Sequence, residues 1–189
     1  MEIEMKIPLD PFFPPNNILS HLIENLGTPY AEIIQIDTYF QSPIRNLWLS
    51  DEALRIREIH SKDVPEKVEF TYKGPKKGKT MKIREEISVE VSNKENLVYI
   101  LRKIGFQDFA IVKKKRLNWR RYDAIISYDI VENLGSYLEI ELSSTGEPKE
   151  VTGSKEKISR IAKEIIPKWT GMEERRSYLE LLNIKENNE

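Results

Sequence analysis

The chain has 189 residues, of which 39% are hydrophobic and 32% are charged, and its formal net charge is −1. This is the composition of a highly charged globular domain, and the near-zero net charge excludes a global field that would recruit nucleic acid. Cysteine is absent, so disulfides and thiolate ligands are excluded, and any metal site must use oxygen or histidine ligands.

Hydrophobic periodicity predicts a single domain, residues 1–184, followed by a frayed, disordered tail at 185–189. Residues 1–7 alternate apolar and charged side chains, which is the period of a strand, and a proline-rich turn then precedes a helix closed by Gly27. The predicted strands are 1–7, 32–40, 53–59, 66–73, 81–91, 109–119, 123–131 and 136–142. The predicted helices are 18–27, capped by Asn16 or Asn17; 94–104, capped by Asn93; 154–166; and 173–184.

The polar faces of these predicted strands carry charged side chains where an ordinary solvent-facing sheet would use more Thr, Ser and Gln. The residues on these faces include Glu2, Glu4, Lys6, Gln35, Asp37, Tyr39, Arg55, Arg57, Thr71, Lys73, Lys82, Arg84, Glu86, Ser88, Glu90, Lys114, Arg116, Asp129, Glu139 and Glu141. Two structures fit this pattern. One is a solvated sheet face with cross-strand salt bridges, and the other is a closed sheet whose interior is lined by the charges.

We favour the closed sheet, because antiparallel sheets of this size tend to close. The expected fold class is therefore α+β, with an eight-stranded antiparallel closed β-barrel, or tunnel, a charged interior and helices packed outside. Like charges that face inward are unfavourable by several kcal/mol each unless they are compensated. A polyphosphate with divalent metal ions would compensate both signs, since Lys and Arg bind phosphate oxygens and carboxylates bind the metal.

The same residues resemble the motif set of the CYTH superfamily, the triphosphate tunnel metalloenzymes. The segment Glu2-Ile3-Glu4-Met5-Lys6 is similar to the ExExK motif that opens the first strand of that family. The later matching segments, in order, are QIDTYF (35–40), ALRIR (53–57), TYKGP (71–75), IREEISVEV (83–91), KKR (114–116), YDIVENLGSYLEIEL (128–142) and RSYLELL (176–182). Order, spacing and strand phase agree over nearly the whole chain.

The resemblance implies roles for individual residues. The implied metal ligands are Glu2, Glu4 and Glu141, with Glu139 and Asp129 as further acidic candidates. The implied triphosphate ligands are Lys6, Arg55, Arg57, Lys73, Lys114 and Arg116, with Arg84 as a further member. The implied catalytic set is Glu2, Glu4, Lys6 and Glu141, and Glu86 fits the fifth-strand motif without a defined role. The expected cofactor is Mg²⁺ or Mn²⁺, with Ca²⁺ as an inhibitor.

The implied reaction is metal-dependent hydrolysis of a triphosphate, with inorganic triphosphate as the first substrate to try. One alternative is class IV adenylyl cyclase chemistry, in which ATP yields cyclic AMP and pyrophosphate. A second alternative is a polyphosphate- or nucleotide-binding module without turnover. The expected partner is a small molecule that contains a triphosphate, with no nucleic acid or membrane partner, and the protein is expected to be a monomer or homodimer. The sequence shows no signal peptide and no apolar run of about 20 residues, so a cytoplasmic location is expected.

Three further expectations concern the rim and the interior. Trp48 precedes the arginine-bearing strand and either packs or contacts an organic group at the tunnel mouth. The C-terminal segment RRSYLELL is expected to cover one end, with Arg175 and Arg176 on the surface. If the cations of the interior repel one another, the substitution Arg57→Ala should slightly stabilise the ligand-free protein.

Overall fold

The computed structural model describes residues 2–62, 65–76, 82–143 and 148–186, and it contains nine strands and four α-helices in these ranges. The strands are β1 (Glu2–Pro8), β2 (Ala31–Gln41), β3 (Ala53–Ser61), β4 (Lys67–Lys73), β5 (Lys82–Arg84), β6 (Glu86–Glu90), β7 (Gln107–Arg121), β8 (Ala124–Val131) and β9 (Gly135–Ser143). The helices are α1 (Ile18–Leu26), preceded by a 3₁₀ turn at Pro15–Asn17, α2 (Lys94–Lys103), α3 (Pro148–Ile165) and α4 (Tyr178–Glu186).

All nine strands form one curled antiparallel sheet in the order β5-β1-β9-β8-β7-β2-β3-β4-β6. The two edge strands, β5 and β6, are consecutive pieces of the chain with only Glu85 between them. They correspond to the single predicted strand 81–91, whose first residue, Met81, lies outside the described residues. An α+β architecture with a curled antiparallel sheet is therefore confirmed, and closure of that sheet into a barrel stays a prediction.

The largest apolar cluster lies on the outer face of the sheet, beneath α1 and α3. Ile3, Met5 and Ile7 of β1 are at most 3% exposed and belong to this cluster, together with Trp119 and Trp169. Burying an isoleucine or leucine of this kind stabilises the fold by about 1.5–3 kcal/mol relative to leaving it exposed. Since neighbouring residues of a strand face opposite sides, the charged residues between these apolar ones must face inward.

Helix α2 covers another part of the outer face, and its start is as predicted. The side chain of Asn93 accepts a hydrogen bond of 2.8 Å from the Asn96 backbone N–H, which satisfies a free donor of the first turn. The start of helix α1 differs from the prediction. Asn17, the residue just before the helix, makes no capping hydrogen bond with its side chain. Gly27 ends α1 with a φ of +81°, a conformation that favours glycine.

The two C-terminal helices differ from the prediction at their starts. Helix α3 begins six residues before position 154, at Pro148. Helix α4 begins at Tyr178 rather than 173, and Ser177 and Glu180 form a capping box at that start. Before it, the Glu174 backbone N–H donates a 2.7 Å hydrogen bond to the Lys6 carbonyl of β1. Helix α4 also continues through residue 186, while positions 187–189 of the predicted tail lie outside the described residues. None of the described helices combines the length and apolar character needed to cross a bilayer.

Candidate active site

The inner face of the curled sheet surrounds a cavity of about 130 Å³, which we call the central cavity. Every strand except β8 contributes a described lining residue, and the start of α4 adds Ser177, Tyr178 and Leu179. The predicted site residues that line it are Glu4, Lys6, Arg55, Arg57, Lys73, Arg84, Glu86, Lys114, Arg116, Glu139 and Glu141. Asp129 is not among the lining residues, and the side chain of Glu2 lies outside the described part of the structure.

Backbone register explains why basic and acidic side chains meet in this cavity. Antiparallel pairing places Lys6 opposite Glu139 on β9, and Lys73 of β4 opposite Glu86 of β6. The ammonium of Lys6 lies 3.4 Å from Glu139 Oε1, and that of Lys73 lies 2.5 Å from Glu86 Oε2. Directly opposite residues on one sheet face are close enough for their side chains to interact, so the pairing follows from the strand register.

One buried ion cluster centres on Asp37, which sequence reasoning placed on the polar face of β2 without assigning it to the site. Arg57 donates two hydrogen bonds of 2.6 Å to its carboxylate, one to each oxygen, and Arg55 donates a third at 3.3 Å. Burial alone would raise the pKa of Asp37, but the charges of Arg57 and Arg55 outweigh it and hold that pKa far below its usual range. Asp37 therefore anchors both arginines in the cavity wall.

A second buried ion cluster centres on Asp129, whose side chain is fully shielded from solvent. Its carboxylate accepts hydrogen bonds from Arg116 (2.6 and 2.5 Å), Lys114 (3.2 Å) and the Tyr178 hydroxyl (2.9 Å). Arg116 also pairs with Glu139. The carboxylate of Asp129 thus lies beneath the cavity cations Lys114 and Arg116 and holds them in place, and its role as a metal ligand stays a prediction.

The ionisation of these groups reflects their burial and neighbours. Burial, reinforced by the nearby Arg116 charge, lowers the pKa of Lys114 to about 7. For Asp129 burial acts in the opposite direction, but the Arg116 and Lys114 charges prevail and lower its pKa. The charge of Lys114 can therefore change near neutral pH.

The cavity carboxylates provide oxygen ligands of the kind that Mg²⁺ and Mn²⁺ prefer. Glu4 and Glu141 lie opposite each other across β1 and β9, and Glu139 follows on the same face. Among the described residues, none lies within hydrogen-bond or ion-pair distance of the Glu141 carboxylate. The residues present therefore fit a hard divalent cation held by one or two carboxylates and completed by substrate oxygens, as is usual for Mg²⁺.

The ligand atoms of Glu4, Glu139 and Glu141 do not form a compact cluster. In the described ranges, three potential ligand atoms lie within 4.8 Å of one another only at Glu58, His60 and Glu66, outside the cavity. Glu58 there pairs with Lys94 at 2.6 Å, and His60 Nδ1 lies 3.6 Å from Glu66 Oε2. These contacts account for that outer cluster as surface ion pairs.

The C-terminal segment covers the cavity, and its tyrosine was missed as a site residue by the sequence analysis. The Tyr178 ring lies among the lining residues and is only 7% exposed. The available signal was its position in the RSYLELL segment, which resembles a family motif but does not by itself assign a role to the tyrosine. Arg176 is exposed and donates hydrogen bonds to Glu174, so its predicted surface placement is confirmed.

The contacts of Arg57 predict that its removal destabilises the ligand-free protein, whereas charge repulsion alone predicts a slight stabilisation. Because Arg57 satisfies both oxygens of the buried Asp37, we expect Arg57→Ala to lower the free energy of unfolding of the ligand-free protein by about 3 kcal/mol. Urea denaturation measures this change. Arg45→Ala is the control, since Arg45 is an exposed partner of Glu52 and should change stability by less than about 1 kcal/mol. Equal stability of the Arg57 variant and the wild type would show that the pair is not structural.

The two buried aspartates also predict acid sensitivity. In the unfolded chain both titrate near pH 4, whereas Asp37 and Asp129 have lower pKa values in the folded protein. Below about pH 4 the unfolded chain therefore binds protons that the folded protein does not, and stability falls as pH decreases. Together they should lower the free energy of unfolding by about 2–3 kcal/mol between about pH 6 and pH 3. Urea titrations at several pH values test this, and a flat profile would contradict it.

Comparisons with known proteins agree with this fold. A family model described as the CYTH domain matches residues 1–178. A Methanocaldococcus jannaschii protein provisionally named adenylate cyclase is 34% identical over 188 residues, covering 97% of this chain and 99% of that protein. A solved Pyrococcus horikoshii structure is 33% identical with a TM-score of 0.85, covering 98% and 99% of the two chains.

A solved Hippeastrum structure, provisionally named adenylyl cyclase and described as having a dominant triphosphatase activity, is 21% identical with a TM-score of 0.66. It covers 98% of this chain and 96% of its own, and at this identity it shows the shared fold alone. The family match and the archaeal relatives span nearly the whole chain. This chain therefore belongs to the CYTH family.

Proposed function

We propose that the protein hydrolyses a small molecule that contains a triphosphate, in the central cavity and with a divalent metal ion. The observation that carries the proposal is the convergence of basic side chains from five strands on the central cavity. The basic lining residues are Lys6, Arg55, Arg57, Lys73, Arg84, Lys114 and Arg116. Such a set matches the many oxygens of a polyphosphate, and arginine can bind them bidentately.

Two of these arginines have unused hydrogen-bonding capacity. The Nε groups of Arg55 and Arg84 are buried and have no hydrogen-bond partner among the described residues. Buried donors are normally satisfied, so an unsatisfied pair needs an explanation such as a ligand that supplies acceptors. Phosphate oxygens are acceptors of the required kind, and both arginines line the cavity.

The charge balance of the cavity favours participation of a metal. The described lining contains seven basic and five acidic residues, an excess of only two positive charges. A triphosphate carries roughly four negative charges near neutral pH, so the protein alone leaves part of this charge uncompensated. A divalent ion held by Glu4 or Glu141 and by phosphate oxygens would supply the difference.

In the proposed mechanism, Lys6, Arg55 and Arg116 bind phosphate oxygens and stabilise the negative charge that develops in the transition state. Asp37 holds Arg55 and Asp129 holds Arg116 in place, while Lys6 pairs with Glu139, which limits reorganisation during the reaction. Glu4 and Glu141 would hold the metal, which when bound polarises phosphoryl oxygens and lowers the pKa of a coordinated water.

Inorganic triphosphate is the substrate that we propose to test first. The described lining has little apolar surface, since Ala53 and Leu179 are its only aliphatic members. One of its two tyrosine rings, Tyr178, already faces Lys6. A substrate made of phosphate groups therefore matches the wall better than one that needs a flat apolar platform for a purine.

Adenylyl cyclase chemistry is the second candidate, and a neighbouring crevice favours it. This crevice of about 260 Å³ shares Ala53, Arg84 and Leu179 with the central cavity and has Trp48 in its wall. It would give the organic group of ATP a place beside the triphosphate. The name of the Methanocaldococcus jannaschii relative supports the same candidate.

The deciding experiment incubates the protein with Mg²⁺ or Mn²⁺ and either tripolyphosphate or ATP, and it measures orthophosphate, pyrophosphate and cyclic AMP. We expect orthophosphate from tripolyphosphate, none after chelation by EDTA, and less when Ca²⁺ replaces Mg²⁺. Cyclic AMP with pyrophosphate would instead support the cyclase. Tight binding of tripolyphosphate without any product would support a binding module and overturn the proposed hydrolysis.

We further propose that the sheet closes around the substrate as a tunnel. The support is topological, because the edge strands β5 and β6 adjoin in sequence at Glu85. The Gly74 backbone N–H, just after β4, donates a 3.0 Å hydrogen bond to the Glu85 carbonyl. Amide hydrogen exchange tests closure, since an open edge at β5 would exchange as fast as a surface loop.

A further inference from the structure

The tyrosine at the start of α4 contacts two cations of the central cavity at once. Lys6 Nζ lies 3.9 Å from the centroid of the Tyr178 ring, and Lys114 Nζ lies 5.0 Å from it. The Tyr178 hydroxyl donates a 2.9 Å hydrogen bond to Asp129 Oδ2. Lys6, Lys114 and Tyr178 are each at most 7% exposed, so these contacts form largely out of water.

An aromatic ring attracts an ammonium group without carrying a full negative charge. Contacts within about 6 Å of the ring centroid are attractive, and they strengthen when water is excluded. Lys6 and Lys114 already pair with Glu139 and Asp129, and a further carboxylate in the place of the ring would add negative charge that competes with phosphate. The ring instead adds a contact that orients both lysines without adding a negative charge, and it offsets part of their mutual repulsion.

The backbone around Tyr178 is fixed on both sides, so the ring has a defined position. Ser177 and Glu180 form a reciprocal capping box, in which the Ser177 N–H donates to Glu180 Oε2 at 2.6 Å and the Glu180 N–H donates to Ser177 Oγ at 3.2 Å. The Glu180 carboxylate also accepts 2.8 Å hydrogen bonds from Lys76, beyond the end of β4. Lys6 Nζ donates a 3.0 Å hydrogen bond to the Arg176 carbonyl, which ties the preceding residues to β1.

We propose that Tyr178 is a positioning residue for the triphosphate. Its ring holds the Lys6 and Lys114 ammonium groups where they can bind phosphate oxygens. The hydroxyl has a separate task, since it fixes the ring angle through Asp129. This inference deepens the proposed function and rests on it, because it assumes that an anion binds between these lysines. It assigns the binding role to the aromatic face rather than to the hydroxyl.

The test compares Tyr178→Leu, which removes the ring, with Tyr178→Phe, which removes only the hydroxyl. Calorimetric titration with tripolyphosphate in Mg²⁺ should show affinity weakened about tenfold in the leucine variant and by less than about threefold in the phenylalanine variant. Tyr137→Leu is the matched control. Its ring packs edge-on against Tyr178 at 5.1 Å in the same apolar cluster, but no described cation lies over it. We expect it to lower the melting temperature and leave the affinity within about twofold.

The outcomes separate this inference from the proposed function. If the wild type binds and hydrolyses tripolyphosphate but Tyr178→Leu binds like Tyr137→Leu, the positioning role is overturned and the function stands. The positioning role of the ring is also overturned if the phenylalanine variant loses as much affinity as the leucine variant. If the wild type binds without turnover and the leucine variant alone loses affinity, the role of the ring is supported and hydrolysis is overturned. Absence of binding by the wild type overturns both.

Discussion

Glu141→Gln is expected to lower kcat/KM for Mg²⁺-dependent hydrolysis of tripolyphosphate by more than about 100-fold, since even indirect partners of a metal site change activity by about 10–100-fold. Glu141 lines the cavity, and it lacks an ion-pair partner among the described residues, so its full charge is available to a metal. The amide keeps the size of the side chain but loses the charge. Orthophosphate release measured over a range of Mg²⁺ concentrations gives both the rate and the metal requirement.

The same substitution should leave the fold nearly unchanged. Because no described residue depends on the Glu141 carboxylate, the free energy of unfolding should change by less than about 0.5 kcal/mol. Glu132→Gln, in the exposed turn between β8 and β9, is the control and should retain wild-type activity. Full activity of Glu141→Gln would show that this carboxylate is not needed for hydrolysis. A large loss of stability would show that the carboxylate has a structural partner.

Removal of Arg116 is expected to affect stability more than any other single change in the cavity. Arg116 makes two hydrogen bonds to the fully buried Asp129, and it also pairs with Glu139. Arg116→Ala would leave Asp129 with only Lys114 and the Tyr178 hydroxyl. We expect a loss of about 3–5 kcal/mol in the free energy of unfolding, the range found when one partner of a buried ion pair is deleted. Urea denaturation of the ligand-free protein measures it.

Arg102 provides a matched control for this pair. It makes the same two-bond contact to Asp108, but at the surface, where its side chain is 57% exposed. Arg102→Ala should therefore destabilise the protein far less than Arg116→Ala. The loss of stability in Arg116→Lys should lie between those of the two alanine variants, because lysine keeps the charge but cannot make the two-bond contact of arginine. If both alanine variants lost the same stability, burial would not govern the strength of the Arg116 pair.

The inward direction of the charged residues was predictable from sequence, because strand geometry is strictly alternating. Once Ile3, Met5 and Ile7 are assigned to the core, Glu4 and Lys6 must lie on the opposite face. The same reasoning placed Arg55 with Arg57, and Glu139 with Glu141, and all six charged residues line one cavity. Strand ends agree with the prediction to within about two residues, except that the predicted strand 81–91 is divided into β5 and β6.

The partners of these residues were not predictable, because pairing depends on which strands become neighbours. Asp37 became an anchor only because β2 lies beside β3, and Asp129 became buried only because α4 brings Tyr178 over it. The segment before α4 also makes a distant contact, the hydrogen bond from the Glu174 N–H to the Lys6 carbonyl, which the sequence did not indicate.

The sequence by itself determined the alternating strands, the inward face of charges and the family to which the chain belongs, because these depend on side-chain order along the backbone. Only the tertiary structure decided that most of the basic residues are already held by carboxylates, and that Asp129 is covered by its partners and does not line the cavity. It also decided that one tyrosine faces two lysines. The reason is that ion pairs and ring contacts form over a few ångströms in space between residues far apart in the chain, and folding alone brings them together.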